Sequence, residues 1–222
     1  MKDALTIIKQ LENGPFDYLD PETDEMKRVY HAHEIEEYLK NVWDSQVLGS
    51  GFYAVAHSGD AKEVVVKILR YEDENYIKYA NISMRNHSSN PLFPNIIKHI
   101  AFGKGQRDEP IDVYFMEHIT PADKLYKSNE AVAFLAKEHT FDMLWMAFES
   151  PASAADIIRD DIKKGLTSRG RALRAINFNI DDFLDWCKEM KNAGFNGRSS
   201  DLHYGNWGLR NDGSLVIFDP VG

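Results

Sequence analysis

The sequence predicts an α+β protein with two lobes, a β-rich lobe followed by an α-rich one. Residues 45–119 contain strand-like runs in the order hairpin, helix, hairpin, which predicts an antiparallel sheet of five strands with one helix. Residues 120–222 change to the apolar spacing of helices. Residues 1–44 have apolar patterns typical of two helices. We therefore expect an N-terminal helical cap, an N-lobe sheet and a short, mainly helical C-lobe.

The cap is expected to contain a short helix and a longer one. Leu5, Ile8 and Leu11 lie at helical spacing before the turn-forming stretch 13–15. The longer helix is expected over residues 21–39, because apolar side chains recur along this stretch.

The other predicted elements follow from changes in periodicity. Strands are expected near 46–48 and at 53–57, 63–69, 97–103 and 112–117, with a helix at 73–87, a turn at 58–60 and a polar loop at 104–110. Helices are expected at 130–148, 153–164 and 180–191, and a last hairpin at 207–209 and 216–218. A β-rich region and an α-rich region that meet near Thr120 predict a ligand cleft between them.

The composition limits the possible partners and compartments. The chain has 26 Lys and Arg against 35 Asp and Glu, for a formal net charge of −9. General binding to nucleic-acid phosphates needs clustered cations, so we do not expect it. The single cysteine, Cys187, cannot form an internal disulfide and fits a reducing cytoplasm. Since neither a signal-peptide pattern nor a membrane-spanning run is found, we expect a soluble cytoplasmic protein.

The first candidate for chemistry is the polar loop 201–206, with the sequence Asp-Leu-His-Tyr-Gly-Asn. Phosphoryl transfer needs a carboxylate that takes the proton of the attacking hydroxyl, and oxygen ligands for Mg²⁺. Asp201 and Asn206 can meet both needs from one loop, although a polar turn in which they cap backbone groups is the alternative. His203 lies inside this loop, where a structural hydrogen bond is favoured over zinc ligation.

The second candidate is Asp219, which follows an apolar strand thirteen residues after Asn206. An Asp at the end of a buried strand is well placed to chelate Mg²⁺, while an ordinary Asp-Pro turn is the alternative. The loop and the strand end, joined by a short hairpin, are more specific together than either is alone.

Two further candidates lie in the N-lobe. Gly49 and Gly51 stand between two predicted strands, where glycines let backbone amides approach phosphate oxygens, but a plain hairpin turn explains the same pattern. Lys67 lies in the apolar strand 63–69, where an unpaired buried ammonium is costly. It must therefore reach water, a phosphate or a carboxylate. The acids at 72–74, with Glu74 as our choice, are the candidates, and helix capping explains them equally well.

Taken in order, these residues and the stretch Met116-Glu117-His118 resemble the protein-kinase signature set. The loop 201–206 resembles the Asp-Leu-His-x-Gly-Asn form of aminoglycoside and choline kinase-type enzymes. A closer resemblance is to the early serine/threonine protein kinase of T7-like bacteriophages, because Phe218-Asp219-Pro220-Val221 matches the Thr-Asp-Pro-Val ending of that family. The resemblance covers roughly 45–221, and the middle, 120–175, matches only in helical character.

The resemblance implies a minimal, bilobal protein-kinase-like fold without the C-terminal shut-off region of the phage enzymes. It implies ATP and Mg²⁺ as cofactors, and bacterial host proteins as substrates or targets in the host cytoplasm. The implied site has Asp201 and Lys67 as catalytic residues, Asn206 and Asp219 on the metal, and nucleotide contacts from Gly49, Ser50, Gly51, Phe52, Lys67, Glu117 and His118.

The sequence also departs from the kinase pattern. Ser199 and Ser200 replace the usual His-Arg or His-Gly before Asp201, and no activation segment follows Asp219. Substrates would therefore dock on the cap or on the helices between 120 and 190. One alternative is a small-molecule phosphotransferase, which the form of the loop favours. The other is a kinase-shaped protein that blocks a host factor without catalysis. The acidic composition and the missing C-terminal platform favour it, and the retained Lys67, Asp201, Asn206 and Asp219 argue against it.

Overall fold

The protein is described by a computed structural model that covers residues 3–59, 63–103, 110–148, 153–195 and 201–220. The chain forms two compact units. Unit 1 consists of Met1–Glu74 and Ile96–His118, and unit 2 of Asn75–Asn95 and Ile119–Gly222. The expected turn at 58–60 and the expected loop at 104–110 lie partly outside the described residues, and Ser199, Ser200 and Val221 lie wholly outside them.

The described residues contain helices and strands with the following bounds. The helices are α1 (Ala4–Glu12), α2 (Ala32–Trp43), α3 (Glu74–Asn86), α4 (Ala122–Leu125), α5 (Glu130–Lys137), α6 (Thr140–Phe148), α7 (Ser153–Lys164), α8 (Ser168–Ala175) and α9 (Ile180–Asn192). The strands are β1 (Phe16–Leu19), β2 (Met26–Val29), β3 (Gln46–Ser50), β4 (Ala54–Ser58), β5 (Val64–Leu69), β6 (Ile96–Phe102), β7 (Ile111–Glu117), β8 (Thr120–Pro121), β9 (Trp207–Leu209) and β10 (Leu215–Ile217). None of the described helices is long and apolar enough to cross a membrane.

Unit 1 contains the predicted antiparallel sheet of five strands, in the order β3-β4-β5-β7-β6. The alternating apolar residues that predicted the strands set its register, with Val55 opposite Ile68 and Ile68 opposite Val113. The α+β fold class and the five-stranded sheet are therefore confirmed. The expected helix between the two hairpins is α3, and nearly all of it groups with unit 2.

The expected helix over residues 21–39 is wrong up to residue 31. Met26–Val29 is a strand that pairs with Phe16–Leu19, and α2 begins only at Ala32. A tight turn closes the hairpin, because the backbone N–H of Asp24 donates to the carbonyl of Asp20 at 2.9 Å. Met26 and Val29, at the two ends of this strand, are three positions apart, a spacing that is also found on one face of a helix. This spacing explains why the sequence predicted a helix here.

The N-terminal helices and the sheet share one apolar core. Side chains of α1, α2 and the β1–β2 hairpin pack with one face of the sheet, and the fully buried members include Ile7, Leu11, Val29, Ile35, Leu39, Val66, Ile68, Val113 and Phe115. Burying such a side chain stabilises a fold by about 1.5–3 kcal/mol. Residues 4–44 are thus part of the same unit as the sheet.

Unit 2 combines α3 and α4–α9 with a three-stranded sheet in the order β10-β9-β8. The predicted last hairpin is confirmed, with Trp207 opposite Ile217. The predicted helix at 130–148 is instead two helices, α5 and α6, because His139 adopts a positive φ of 47° that a helix cannot continue through.

An aromatic cluster fills the centre of unit 2. The rings of Trp145 and Trp186 lie 5.0 Å apart edge to face, and those of Phe141 and Trp207 lie 4.8 Å apart. Cys187 is buried beside this cluster, and burial raises the pKa of its thiol to about 12. A thiol that stays protonated is a poor nucleophile, so Cys187 serves as a packing residue.

Candidate active site

The predicted site residues fall into two groups, one in each unit. Asp201, Asn206 and Asp219 belong to unit 2, whereas Lys67 and the glycine-containing run 49–52 belong to unit 1. Each group is described within its own unit.

Main-chain hydrogen bonds join the loop 201–206 to the end of β10. The N–H groups of Phe218 and Asp219 donate to the carbonyl of Asn206 at 2.9 and 3.2 Å. The N–H of Asp201 donates to the carbonyl of Pro220 at 2.9 Å. Both ends of the loop are therefore tied to the segment that carries Asp219. The three polar residues picked out in the sequence, which are five to eighteen positions apart, come together in one small assembly.

The side chain of Asn206 has a defined orientation. Its Nδ2 donates a hydrogen bond to the backbone carbonyl of Asp201 at 2.6 Å. An amide that donates through its nitrogen keeps its oxygen for accepting or for ligating a cation. Both Asn206 and Asp219 are half-buried. The two side chains thus supply the oxygen donors that a hard divalent cation prefers.

His203 folds back over the loop. Its Nδ1 accepts a hydrogen bond from the N–H of Gly205 at 2.9 Å, and its Nε2 lies 3.7 Å from Oδ1 of Asp201. A Cβ on residue 205 would come within 2.6 Å of the Cε1 of His203, so the ring needs glycine at that position. With Nδ1 as acceptor, the neutral ring carries its proton on Nε2, on the side of Asp201. The hydrogen-bonding role expected for this histidine is present.

Two residues outside the loop hold it in place, and no sequence pattern indicates either of them. Oδ1 of Asp142, on α6, accepts a hydrogen bond from the N–H of Leu202 at 3.0 Å. The N–H of Asp123, on α4, donates to the carbonyl of Tyr204 at 3.2 Å. Leu202 itself is buried. Asp142 lies sixty positions before Leu202, a separation at which periodicity and local motifs carry no information.

The strand that leads to Asp219 is held from the other side by α3 and the segment after it. The hydroxyl of Tyr79 donates to the carbonyl of Ile217, and the N–H of Ile217 donates to the carbonyl of Leu92 at 2.9 Å. Tyr79 is fully buried, and this burial raises the pKa of its hydroxyl well above the ordinary value. A hydroxyl that stays protonated keeps its donor, so the anchor persists through the physiological range of pH.

The described residues contain no group of three His, Cys, Asp or Glu side chains that could hold a metal by itself. In the assembly around Asp219, the expected metal ligands are the carboxylate of Asp219 and the amide oxygen of Asn206. Magnesium commonly takes one or two protein oxygens and completes its shell with water and substrate phosphates. The donor set therefore fits Mg²⁺ that arrives with a nucleotide.

In unit 1, the glycine-containing run lies at an edge of the sheet. Gly49 and Ser50 are part of β3, opposite Ala56 and Val55, after a bulge at Leu48. They are therefore not in the turn between the strands, where the sequence placed them. The turn is shorter and is closed by a hydrogen bond from the N–H of Gly51 to the carbonyl of Ala54 at 2.8 Å.

Side chains near this turn are exposed to solvent. Phe52 is 74% exposed and stacks on Tyr71 with ring centroids 5.3 Å apart. Ser50 accepts a hydrogen bond from Arg70 at 3.3 Å, and the guanidinium of Arg70 makes two further hydrogen bonds of 2.8 Å to Glu36. The turn is thus accessible to a ligand and has a cation fixed beside it.

Lys67 lies on the sheet face opposite the shared core, because its neighbours Val66 and Ile68 point into that core. It is half-buried and stands opposite Tyr114 of β7. On the next strand, β6, His99 stands opposite Tyr114, and the centroids of the two stacked rings lie 4.5 Å apart. The Nε2 of His99 lies 2.6 Å from Oδ1 of Asp112. This polar row was missed in the sequence, where each of its members looks like an ordinary strand residue.

Glu117 and His118 lie at the end of the β5–β7 pairing. Glu117 stands opposite Val64, and the N–H of His118 donates to the carbonyl of Glu63 at 3.0 Å. The division between the two units falls directly after His118. The pairing of Lys67 with Glu74 and the nucleotide contacts of Glu117 and His118 stay predictions.

Comparisons with known proteins add little to these observations. No family model matches the sequence, and no curated protein matches it. Among solved structures, a spectinomycin phosphotransferase in complex with ADP and spectinomycin is similar with a TM-score of 0.31 and 13% identity. The likeness covers 85% of this chain and 68% of that protein. A similarity this weak carries no argument about fold, substrate or site residues.

Proposed function

We propose that this protein is an ATP-dependent phosphotransferase whose catalytic residues are carried by the loop 201–206 and by Asp219. One observation carries the proposal. Asp201, Asn206 and Asp219 carry the kinds of oxygen-bearing side chains that phosphoryl transfer needs, and hydrogen bonds join them into one assembly. The side-chain amide of Asn206 donates to the carbonyl of Asp201, and the carbonyl of Asn206 accepts from the N–H of Asp219.

The proposed chemistry transfers the γ-phosphoryl group of ATP to a hydroxyl. Asp201 orients this hydroxyl and takes its proton as the new O–P bond forms, and the bond from the γ-phosphorus to the bridging oxygen breaks to release ADP. Mg²⁺, when bound, would neutralise charge on the phosphate oxygens, with Asn206 and Asp219 as its protein ligands.

Unit 1 supplies the proposed nucleotide contacts. Lys67 would contact the phosphates with its ammonium, and Gly49 to Phe52 would cover them with backbone amides. Glu117 and His118 would contact the base. These roles rest on the resemblance of the sequence to kinases and on the accessibility of the turn after β3.

The proposed acceptor is a serine or threonine hydroxyl on a bacterial host protein. The match of Phe218-Asp219-Pro220-Val221 to the phage kinase ending supports this choice. A small-molecule acceptor is the second candidate, since the sequence form of the loop 201–206 favours it. A binding protein without catalysis is the third, and it does not require the orientation of Asn206 that the structure describes.

Labelled ATP separates the three functions. The protein is incubated with Mg²⁺, γ-labelled ATP and a bacterial lysate, beside Asp219→Asn and a surface control, Asp185→Asn. We expect labelled proteins with the parent and with the control, and none with Asp219→Asn. Label confined to small molecules would move the acceptor to the second candidate. Absence of any label that depends on Asp219 would overturn the phosphotransferase proposal.

A further inference from the structure

A basic surface lies at the junction of α7 and α8, far in sequence from the proposed catalytic loop. Residues 163–174 contain five Lys and Arg and no Asp or Glu, in a chain whose formal net charge is −9. They comprise the end of α7, the connection 165–167 and most of α8. We call this stretch the α7–α8 turn. A cluster of positive charges on an otherwise negatively charged protein creates a local positive potential.

The α7–α8 turn is held rigidly from within. The carboxylate of Asp161 accepts hydrogen bonds from the N–H and the hydroxyl of Thr167 at 2.8 and 2.5 Å. Thr167 in turn caps α8 by accepting from the N–H of Gly170 at 3.0 Å. Burial acts to raise the pKa of Asp161, but the hydrogen bonds from Thr167 outweigh it and lower the pKa. The acid nearest to the turn is therefore used internally and stays ionised.

Arg171 closes the turn from the other side. Its guanidinium donates to the carbonyl of Gly165 at 3.2 Å and to the hydroxyl of Ser168 at 3.1 Å. Gly165 has a φ of +61°, a conformation that favours glycine. A turn fixed in this way loses little conformational entropy when a partner binds to it.

The exposed side chains of this turn combine charge with an apolar group. Leu166 is 66% exposed at the tip. Lys163, Arg171 and Arg174 are exposed, and none of them forms an ion pair with any residue that the structure describes. Two other cations form ion pairs: Lys164, inside the turn, pairs with Asp160 at 2.7 Å, and Arg159, before the turn, pairs with two aspartates. Single exposed leucines are common on protein surfaces, so the inference rests on the combination of Leu166 with the three exposed cations beside it.

We propose that the α7–α8 turn is a docking surface for an acidic segment of another polypeptide, which places an apolar side chain against Leu166. Charge complementarity favours an acidic partner. A polypeptide is favoured over a nucleic acid because the exposed side chain of Leu166 is apolar and has no favourable contact to make with a phosphate backbone. This surface is independent of the phosphotransferase proposal.

Fluorescence anisotropy tests the proposal without nucleotide. The probes are three labelled chains of equal length: a peptide of alternating Glu and Leu, one of alternating Lys and Leu, and an oligothymidylate. The site variants are Leu166→Ser and the double variant Lys163→Glu with Arg174→Glu, which removes no hydrogen bond of the turn. The matched control is Lys127→Glu with Lys188→Glu, two exposed lysines of the same unit.

We expect the Glu-Leu peptide to bind, and binding to weaken about tenfold in each site variant. The control should bind within about twofold of the parent, because Lys127 and Lys188 lie outside the α7–α8 turn while their replacement changes the net charge by the same amount as the double site variant. Equal weakening by the control would overturn the proposal, since net charge alone would then govern binding. Preference for the Lys-Leu peptide, preference for the oligothymidylate, or absence of binding would overturn it too.

Discussion

The side-chain amide of Asn206 donates a hydrogen bond of 2.6 Å to the backbone carbonyl of Asp201. The proposed base and the proposed metal ligand are thus coupled through one bond inside the loop. A hydrogen bond of this kind contributes about 0.5–1.5 kcal/mol to stability, and it also fixes which atom of the amide faces a cation. The orientation of the Asn206 side chain is therefore set by a hydrogen bond within the loop itself.

Asp142 is expected to hold the loop from α6. Replacement by Ala leaves the N–H of Leu202, a buried residue, without its acceptor, which costs about 1–3 kcal/mol. Asp142→Asn keeps an oxygen in the same place and should cost less. Thermal unfolding followed by tryptophan fluorescence measures both, with Asp185→Ala as the control for losing a surface acid. Equal stability of Asp142→Ala and the parent protein would show that this bond does not hold the loop.

Gly205 and His203 are expected to be energetically coupled. Gly205→Ala places a Cβ within 2.6 Å of the His203 ring and must displace it, so we expect transfer activity to fall about tenfold, equivalent to about 1.4 kcal/mol. In a His203→Ala background the added methyl group meets no ring. The double variant should therefore be no slower than His203→Ala alone, which a double-mutant cycle measures. Additive losses would argue against the contact.

Gly208 allows β8 and β9 to approach each other closely. A Cβ at this position would lie 2.2 Å from the carbonyl oxygen of Thr120, so Gly208→Ala should destabilise unit 2 by about 1–3 kcal/mol or more. The matched control is Gly49→Ala, where no atom lies within 4 Å of the added Cβ. We expect the control to keep its stability and to show a raised KM for ATP. A stable Gly208→Ala protein would contradict the observed strand pairing.

His57 is expected to make unit 1 sensitive to acid. Its side chain is buried beside the hydroxyl of Ser45, and burial lowers its pKa below the ordinary value of 6.5. Below about pH 6.5 the unfolded chain takes up a proton that the folded state does not. The free energy of unfolding should therefore fall as the pH drops from 7 towards 5, and less steeply in His57→Gln. Urea titrations at each pH test this, with exposed His33→Gln as the control; identical slopes for parent and His57→Gln would refute it.

The sequence was sufficient to predict those elements that depend on a local pattern of apolar or turn residues. The alternating apolar residues around Val55 and Ile68 specify the sheet, and the Asp-Gly turn before Ser214 specifies the last hairpin. Three features depend on contacts that no local pattern encodes. The β1–β2 hairpin has strands of only four residues, whose apolar spacing also fits a helix. The break at His139 depends on one backbone conformation, and the bond from Asp142 spans sixty positions.

The residues of the candidate site also fall into two groups, those that the sequence predicts and those that only the structure reveals. Asp201, Asn206 and Asp219 were recognisable because their residue types and spacing are those that phosphoryl transfer requires. The residues that position them, Asp142 and Tyr79, act through single hydrogen bonds to the backbone of the loop and of β10. Such anchors depend on the fold and can be supplied by many residue types, so a single sequence does not reveal them.

The rate of phosphoryl transfer by Asp201→Asn tests the central claim most directly. This isosteric change removes the proposed base and leaves the backbone carbonyl that Asn206 bonds to. We expect a fluorescent ATP analogue to bind with unchanged affinity, while transfer from ATP falls by roughly 10²–10⁴, the usual contribution of a positioned base. A variant that transfers phosphate at the rate of the parent protein would contradict the account.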